Sequence, residues 1–446
     1  MSDWKKVKIG EIFKIEKGSL QSSKCIPGKY DFITAASEWK THESYSHECE
    51  AIVYAVAASG SLGRAHYVNG KFIASDLCFI LTEKDKEKYP INFQFYQLIF
   101  ELIREEIVSK TKTGTSKESI NQKNFSNYEI PYFSFDYQIA NYEKLVNTKQ
   151  KISELLEESE KQKSYAKQLR QNILQEAIEG KLTEDWRKEN PVVKGNPDFD
   201  AEALFEKIQE GKSHTDSELP LETSLRIRNS KKKKVFEPIS ENEQPFEIPE
   251  GWKWVRLGEI SKIVRGGSPR PAGDKTYYDG KIPFLKVADI TNSDEKELWT
   301  YTYTIKETGL KKTRYVEKET LMLTNSGATL GIPKICMIAT TFNDGIAAFL
   351  DIKNRITKDY LYYFLKSKTK WFLKEAAKGQ GQPNLNTDII AITILALPPL
   401  AEQKEIVSRV EKLLANVTEL EEQITEREEM TKQLMQCIMK DAFKEE

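Results

Sequence analysis

Two distant stretches of this chain are copies of one another. Residues 4–18 read WKKVKIGEIFKIEKG and residues 252–266 read WKWVRLGEISKIVRG, nine identities in 15 positions at an offset of 248. Lys8/Arg256, Ile9/Leu257 and Lys17/Arg265 are conservative pairs. A second match lies far downstream in each half, AKQLRQNILQEA at 166–177 and TKQLMQCIMKDA at 431–442, at an offset of 265. A repeat on this scale decides the architecture before local propensities are weighed. The growth of the offset assigns 17 extra residues to the globular part of the second copy.

Each copy ends in a charged, periodic segment. Val410, Val417, Ile424, Thr431 and Ile438 recur every seventh residue, and Leu413, Leu420 and Leu434 follow three later, the a/d pattern of a helical seam. Shifted by 265, the first copy places Leu145, Ile152, Ser159, Ala166 and Ile173 at a, and Leu155 and Leu169 at d. The remaining positions are rich in Glu, Lys and Gln, which form helices readily. Two helices, over 138–180 and 403–446, would each run about 60 Å at 1.5 Å per residue. Matched in length and pattern, they are expected to pack antiparallel as a coiled coil, relating the two globular parts by a pseudo-two-fold axis. The connection 181–247 reads as an irregular linker, with one short helical stretch near 200–210 and a four-lysine run at 231–234.

Composition narrows the class. Hydrophobic residues make up 39% of the 446 and no apolar run is long enough for a membrane helix. The opening Met1-Ser2-Asp3-Trp4 lacks a signal-peptide pattern, and the five cysteines are scattered without a Cys-x-x-Cys pair. Both features suit a reducing cytoplasm. The net charge of −1 provides no global field toward nucleic acid, although 30% of residues are charged and Lys and Arg gather in particular loops.

Inside each half, short apolar stretches (51–57, 72–81, 282–287, 320–324, 347–352) alternate with Gly/Ser/Asn/Pro turns and read as strands, with helices near 93–110 and 358–377. The class is α+β. Three loops recur. The first is 18–21 in one half and 265–271 in the other, the second is 58–64 and 325–331, and the third is 110–119 and 378–386. Glycine lets backbone approach a ligand, and the polar side chains supply donors for phosphates and base edges. One such loop would read as a plain turn. Recurrence of all three in diverged copies favours a shared binding surface. The candidate DNA-contacting residues are Ser61, Arg64, Lys110, Lys112 and Lys117 in the first half. In the second they are Arg265, Ser268, Arg270, Ser326, Thr329, Lys378, Gln380, Gln382 and Asn384.

Signatures of catalysis are missing. No phosphate-binding Gly-x-x-x-x-Gly-Lys-Ser/Thr loop occurs, and His42-Glu43 with His47 is one residue too long for a zinc His-Glu-x-x-His helix. Gly379-x-Gly381 lacks a third glycine and runs into Pro383. Asn190-Pro191-Val192 and Asn196-Pro197-Asp198 lack the aromatic residue of an amino-methylation motif. The chain reads as a binder that makes and breaks no bonds, with no metal or cofactor of its own.

Ile248-Pro249-Glu250-Gly251-Trp252, leading into Val255-Arg256-Leu257-Gly258-Glu259, resembles the opening motif of target-recognition domains in specificity subunits of type I restriction–modification systems. Gly267-Ser268-Pro269, Ser326-Gly327-Ala328-Thr329-Leu330-Gly331, Gln382-Pro383-Asn384-Leu385-Asn386, Pro398-Pro399-Leu400-Ala401-Glu402-Gln403 and Glu179-Gly180-Lys181-Leu182-Thr183 are similar to further family features. The first half departs from the pattern. Nothing like Ile-Pro-Glu-Gly precedes Trp4, and Phe133-Ser134-Phe135 stands where Pro398-Pro399-Leu400 stands. The resemblance implies target-recognition domains at 1–137 and 248–402, reading a bipartite double-stranded DNA site, with the helices as a ruler. It also implies two methyltransferase subunits that modify adenine with S-adenosylmethionine, and two motor-nuclease restriction subunits that use ATP and Mg. Two alternatives remain: the recognition subunit of another restriction assembly, and a coiled-coil scaffold that does not bind DNA.

Overall fold

The computed structural model describes residues 4–58, 60–114, 118–215, 236–376 and 384–441. These form two compact units, Met1–Gln162 with Gln423–Glu446, and Lys163–Glu422.

In the first unit the repeated opening segment forms strand Trp4–Lys8, antiparallel to Glu129–Phe133 with Val7 opposite Ile130. A six-stranded sheet follows in the order Phe13–Lys17, Cys78–Glu83, His47–Ala55, Ala65–Ala74, Tyr30–Ile33, Lys40–His42. The apolar run in His47–Ala55 is continuous because this central strand is covered on both faces. Ile52 and Tyr54 join the cluster beneath helix Phe93–Leu102, while Ala51, Val53 and Ala55 join the cluster on the other side.

In the second unit Lys253–Arg256 pairs with Ile394–Leu397, the same register as in the first half. Its five-stranded sheet runs Lys262–Arg265, Ile346–Leu350, Thr320–Thr324, Pro333–Cys336, Glu297–Leu298. A further sheet, in the order Tyr303–Ile305, Tyr278–Leu285, Thr340–Phe342, Arg314–Val316, has no four-stranded counterpart in the first unit. Helix Arg355–Trp371 covers the larger sheet with Tyr360, Leu361, Phe364 and Leu365.

Several sequence expectations need correction. The stretch 72–81 is two strands, because Ser75, Asp76 and Leu77 turn the chain between Ala65–Ala74 and Cys78–Glu83. The helix expected over 93–110 breaks at Ile103 into Phe93–Leu102 and Arg104–Thr111. Much of the supposed linker is ordered into the second unit. It holds helices Glu184–Glu189 and Ala201–Thr215, and the backbone N–H groups of Leu400 and Ala401 donate to the carbonyls of Pro197 and Asp198. The four-lysine run lies outside the described residues.

The long helices span Phe135–Ile178 and Leu400–Asp441. Within the second unit, Arg170 donates to Glu421 at 2.7 Å and to Thr418 at 2.7 Å, while Arg409 donates to the Leu182 carbonyl at 2.9 Å. Partner numbers fall as the first chain segment advances, so the two segments run antiparallel there. Ala166, Ile173, Val410 and Val417 share one buried cluster. In the first unit Gln162 accepts a hydrogen bond from Arg427.

The seam differs from a two-row heptad. Its a positions Ile152, Ser159, Ala166, Ile173, Val410, Val417, Ile424 and Thr431 are buried, with Leu145 packed at the margin of the first core. At d, Leu413 is half-buried, but Leu155, Leu169, Leu420 and Leu434 are exposed; the side chain of Ile438 is outside the described set. Small Ser159 and Ala166 are buried on this row, and Leu155, Leu169, Leu420 and Leu434 lie outside it.

Candidate nucleic-acid interface

The three recurrent loops converge in the second unit on a turn that the sequence reading did not single out, Asn343-Asp344-Gly345. The first loop is anchored by Gly266 N–H to the Ile346 carbonyl at 3.0 Å and Gly267 N–H to the Phe342 carbonyl at 3.1 Å. Ser268 Oγ donates to Asp344 Oδ1 at 2.7 Å, Arg270 lies 3.8 Å from Asp344 Oδ2, and Arg265 Nε donates to the Asp344 carbonyl. The second loop joins through Asn325 N–H to the Gly345 carbonyl at 2.9 Å. The third joins the second through Leu385 N–H to the Asn325 carbonyl at 2.7 Å and through a bridge between Ser326 and Asn384. Side-chain chemistry alone gives no signal for this hub. The only clue in the sequence was a short polar turn between two apolar strands.

The first unit repeats the backbone part of this wiring. Gly18 N–H donates to the Cys78 carbonyl, Val56 N–H to the Leu77 carbonyl (both 2.9 Å), and Ile120 N–H to the Val56 carbonyl at 2.8 Å. Gly63 N–H donates to the Ala55 carbonyl as Gly331 N–H does to that of Thr324, each at 2.8 Å. Both glycines have positive φ, +80° and +85°, and both press against helices. Gly63, not Arg64, is therefore the counterpart of Gly331. The matched bonds also locate the insertion. Ser75 N–H to the Ile33 carbonyl corresponds to Asn343 N–H to the Leu285 carbonyl, an offset of 252 at the acceptor, and the offset at Val56/Asn325 is 269. The extra residues between Leu285 and Asn325 lengthen the segments around matched strands: Tyr303–Ile305 pairs antiparallel with Tyr278–Leu285 as Lys40–His42 does with Tyr30–Ile33, and Arg314–Val316 pairs antiparallel with Thr340–Phe342 as the start of His47–Ala55 does with the end of Ala65–Ala74.

The candidate side chains fare differently. Arg265 and Arg270 are exposed, as are Thr329 and Asn384; Ser268 and Ser326 are half-buried at the hub. In the first unit Arg64 is tied inward, donating to the Ala35 carbonyl at 2.8 Å and Ser61 Oγ at 3.2 Å. Lys110 and Lys112 are exposed but paired with Glu106 at 2.8 Å and Glu118 at 2.7 Å. Lys117, Lys378, Gln380 and Gln382 lie outside the described residues.

Beside the first unit's second loop is a cleft of about 580 Å³ lined by Trp39, Arg64, His66, Tyr67, Arg104 and Lys149, among others. Its cations are engaged: Arg104 Nε donates to the Leu62 carbonyl at 2.7 Å and Lys149 pairs with Glu101. Trp39 Nε1 donates to His66 Nδ1 at 3.2 Å, and burial holds that imidazole below its ordinary pKa. Among the described residues no group of three or more His, Cys, Asp or Glu could hold a metal ion, and no helix is long and apolar enough to cross a membrane. What the geometry offers is two surfaces of fixed backbone carrying donors and cations.

The chain matches the model of the type I restriction modification DNA specificity domain twice, over residues 1–174 and 249–429. It is 24% identical to the type I restriction enzyme EcoDI specificity subunit of Escherichia coli, across 100% of this chain and 88% of that protein. It is 28% identical to the MjaVIII specificity subunit of Methanocaldococcus jannaschii, over 44% of this chain and 43% of that protein. Among solved structures, a chain from work on complex assembly and conformational transition of the type I R-M system superposes with a TM-score of 0.63 at 16% identity, covering 99% of this chain and 98% of that one. The HsdS subunit of Thermoanaerobacter tengcongensis gives 0.53 at 18% identity, over 99% and 96%.

Proposed function

Because the chain belongs to the family of type I restriction–modification DNA specificity proteins, we propose that it reads a bipartite DNA sequence through its two loop clusters and itself performs no catalysis. One observation carries this reading. The same backbone bonds hold the three loops in both units, while the side chains they present differ. A constant frame with divergent donors is what recognition of two unlike half-sites requires.

The long helices act as the spacer between half-sites, since a helix fixes distance at 1.5 Å per residue. Catalytic work falls to partners, two adenine methyltransferase subunits using S-adenosylmethionine and two ATP- and Mg-dependent restriction subunits, in the cytoplasm. Leu155 and Leu434 in the first unit, and Leu169 and Leu420 in the second, are exposed on the helices. Exposed leucines on a helix suit helical partners. Arg265, Ser268, Arg270, Ser326, Thr329 and Asn384 contact the second half-site, and Ser61, Lys110 and Lys112 the first. Arg64 stands behind the first surface as a brace.

Purified alone, the chain should neither cut nor methylate DNA, and sequence-specific adenine methylation should appear when its methyltransferase partner is added. Methyl transfer by the partner-free chain would refute the proposal.

A further inference from the structure

Lys286 stands at the end of strand Tyr278–Leu285, where the chain turns into helix Val287–Thr291. Its ammonium nitrogen lies 3.3 Å from the centre of the Tyr303 ring, which is itself exposed. The arrangement is clamped from beneath. The buried carboxylate of Asp289 accepts the Lys286 N–H at 2.7 Å and the Thr302 N–H at 3.0 Å, and takes the Thr302 hydroxyl as well. Both partners of the cation–ring pair are therefore fixed at the backbone. Among the described residues no carboxylate lies within ion-pair distance of Lys286, whereas Lys110, Lys112 and Arg270 each face one.

The pair borders the hub of the three loops. A methyl group built on Gly345 would lie 2.6 Å from Val287, the neighbour of Lys286, and 2.8 Å from Ser326 Oγ. By strand pairing, Tyr303 lies opposite Phe284 as Lys40 lies opposite Phe32, so the first half carries an exposed lysine where the second carries Tyr303. By the matched bonds at Ile33 and Leu285, the first half places Thr34 where Lys286 stands, and Thr34 is buried. The two halves thus place their cation differently here, on Lys286 seated on the Tyr303 ring in the second and on the exposed strand residue Lys40 in the first.

We infer that Lys286, held by Tyr303, is a specificity-determining residue of the second surface, donating to the O6 and N7 acceptors of one guanine in the major groove. This rests on the DNA-recognition reading above. A lysine that serves only a phosphate gains little from being pinned, because phosphates lie along every sequence. A cation seated on a ring and fixed at its backbone gives up less freedom on binding and holds one location, which discrimination between base pairs requires.

The test uses the full chain with its methyltransferase partner, a duplex library randomised in both half-sites, and a salt titration. Lys286→Met should lose preference at one guanine of the second half-site by on the order of ten-fold, leaving the first half-site unchanged. Tyr303→Phe should retain that preference, and Tyr303→Ala should lose part of it. Thermal unfolding of each variant identifies any that fail to fold, and Lys286→Gln replaces Lys286→Met in that case. Uniform weakening on all sequences, with a salt slope reduced by about one, would make Lys286 a phosphate contact and overturn the inference. Unchanged selectivity would overturn it as well. Should the wild-type complex select no sequence at all, the functional reading itself falls, an outcome distinct from either.

Discussion

Trp252 and Glu402, 150 residues apart, are joined by a 2.6 Å hydrogen bond from the indole N–H to a buried carboxylate oxygen. The other oxygen accepts the Thr183 hydroxyl at 2.7 Å and the Arg187 guanidinium. One carboxylate thereby ties the opening of the second globular part, the end of the first helix region and the start of the second long helix. Removing it leaves a buried indole N–H without its acceptor and the half-buried Arg187 guanidinium without its counter-charge. Glu402→Ala should cost about 3 kcal/mol of stability in denaturant unfolding, against less than about 0.5 kcal/mol for Lys404→Ala on the exposed side of the same turn. Equal effects would mean that the cluster is not a keystone.

The glycines of the second loop should rank by what surrounds them. Gly60 and Gly63 both have positive φ, but a Cβ on Gly63 would meet Val108 at 2.6 Å, whereas nothing lies within 4 Å of one on Gly60. Gly60→Ala should cost about 1 kcal/mol, from backbone conformation alone. Gly63→Ala should cost about 2–3 kcal/mol, as steric displacement of helix Arg104–Thr111 is added. Chemical denaturation of the two variants gives the comparison, and a reversed order would contradict the packing described.

What could be read from the sequence follows the physics of each signal. The duplication was legible because the strand pairs Trp4–Lys8/Glu129–Phe133 and Lys253–Arg256/Ile394–Leu397 constrain side chains on both sides. The three loops were legible through their glycines. The Asn343-Asp344-Gly345 hub was not, since its contribution is chiefly backbone carbonyls, which every residue has. Lys286 was missed because its meaning depends on Tyr303, 17 residues away on the neighbouring strand. The heptads marked which helix face is apolar. They did not reveal that burial follows the row of Ile152, Ala166 and Val417 while Leu169 and Leu420 stay exposed, because periodicity carries no information about how wide a contact is.

His66 carries a pH dependence whose sign is set by its burial. Its folded-state pKa is held below the ordinary 6.5 chiefly by desolvation, so the unfolded chain binds a proton at higher pH than the folded one. The stabilisation is complete above about pH 6.5 and is lost as pH falls below that value. Between pH 7.5 and 5.5 the wild-type melting temperature should drop more than that of His66→Gln. Parallel profiles would show that the imidazole does not titrate differently in the two states.

The central claim is that the two units read separate half-sites. Residues 1–136 are replaced by the corresponding segment of a homologue, the chimera is expressed with the methyltransferase partner, and methylated adenines are mapped across a genome. The account predicts that one half of the methylated motif changes while the other half and the spacer stay as they were. A motif altered in both halves, or in neither, would contradict it.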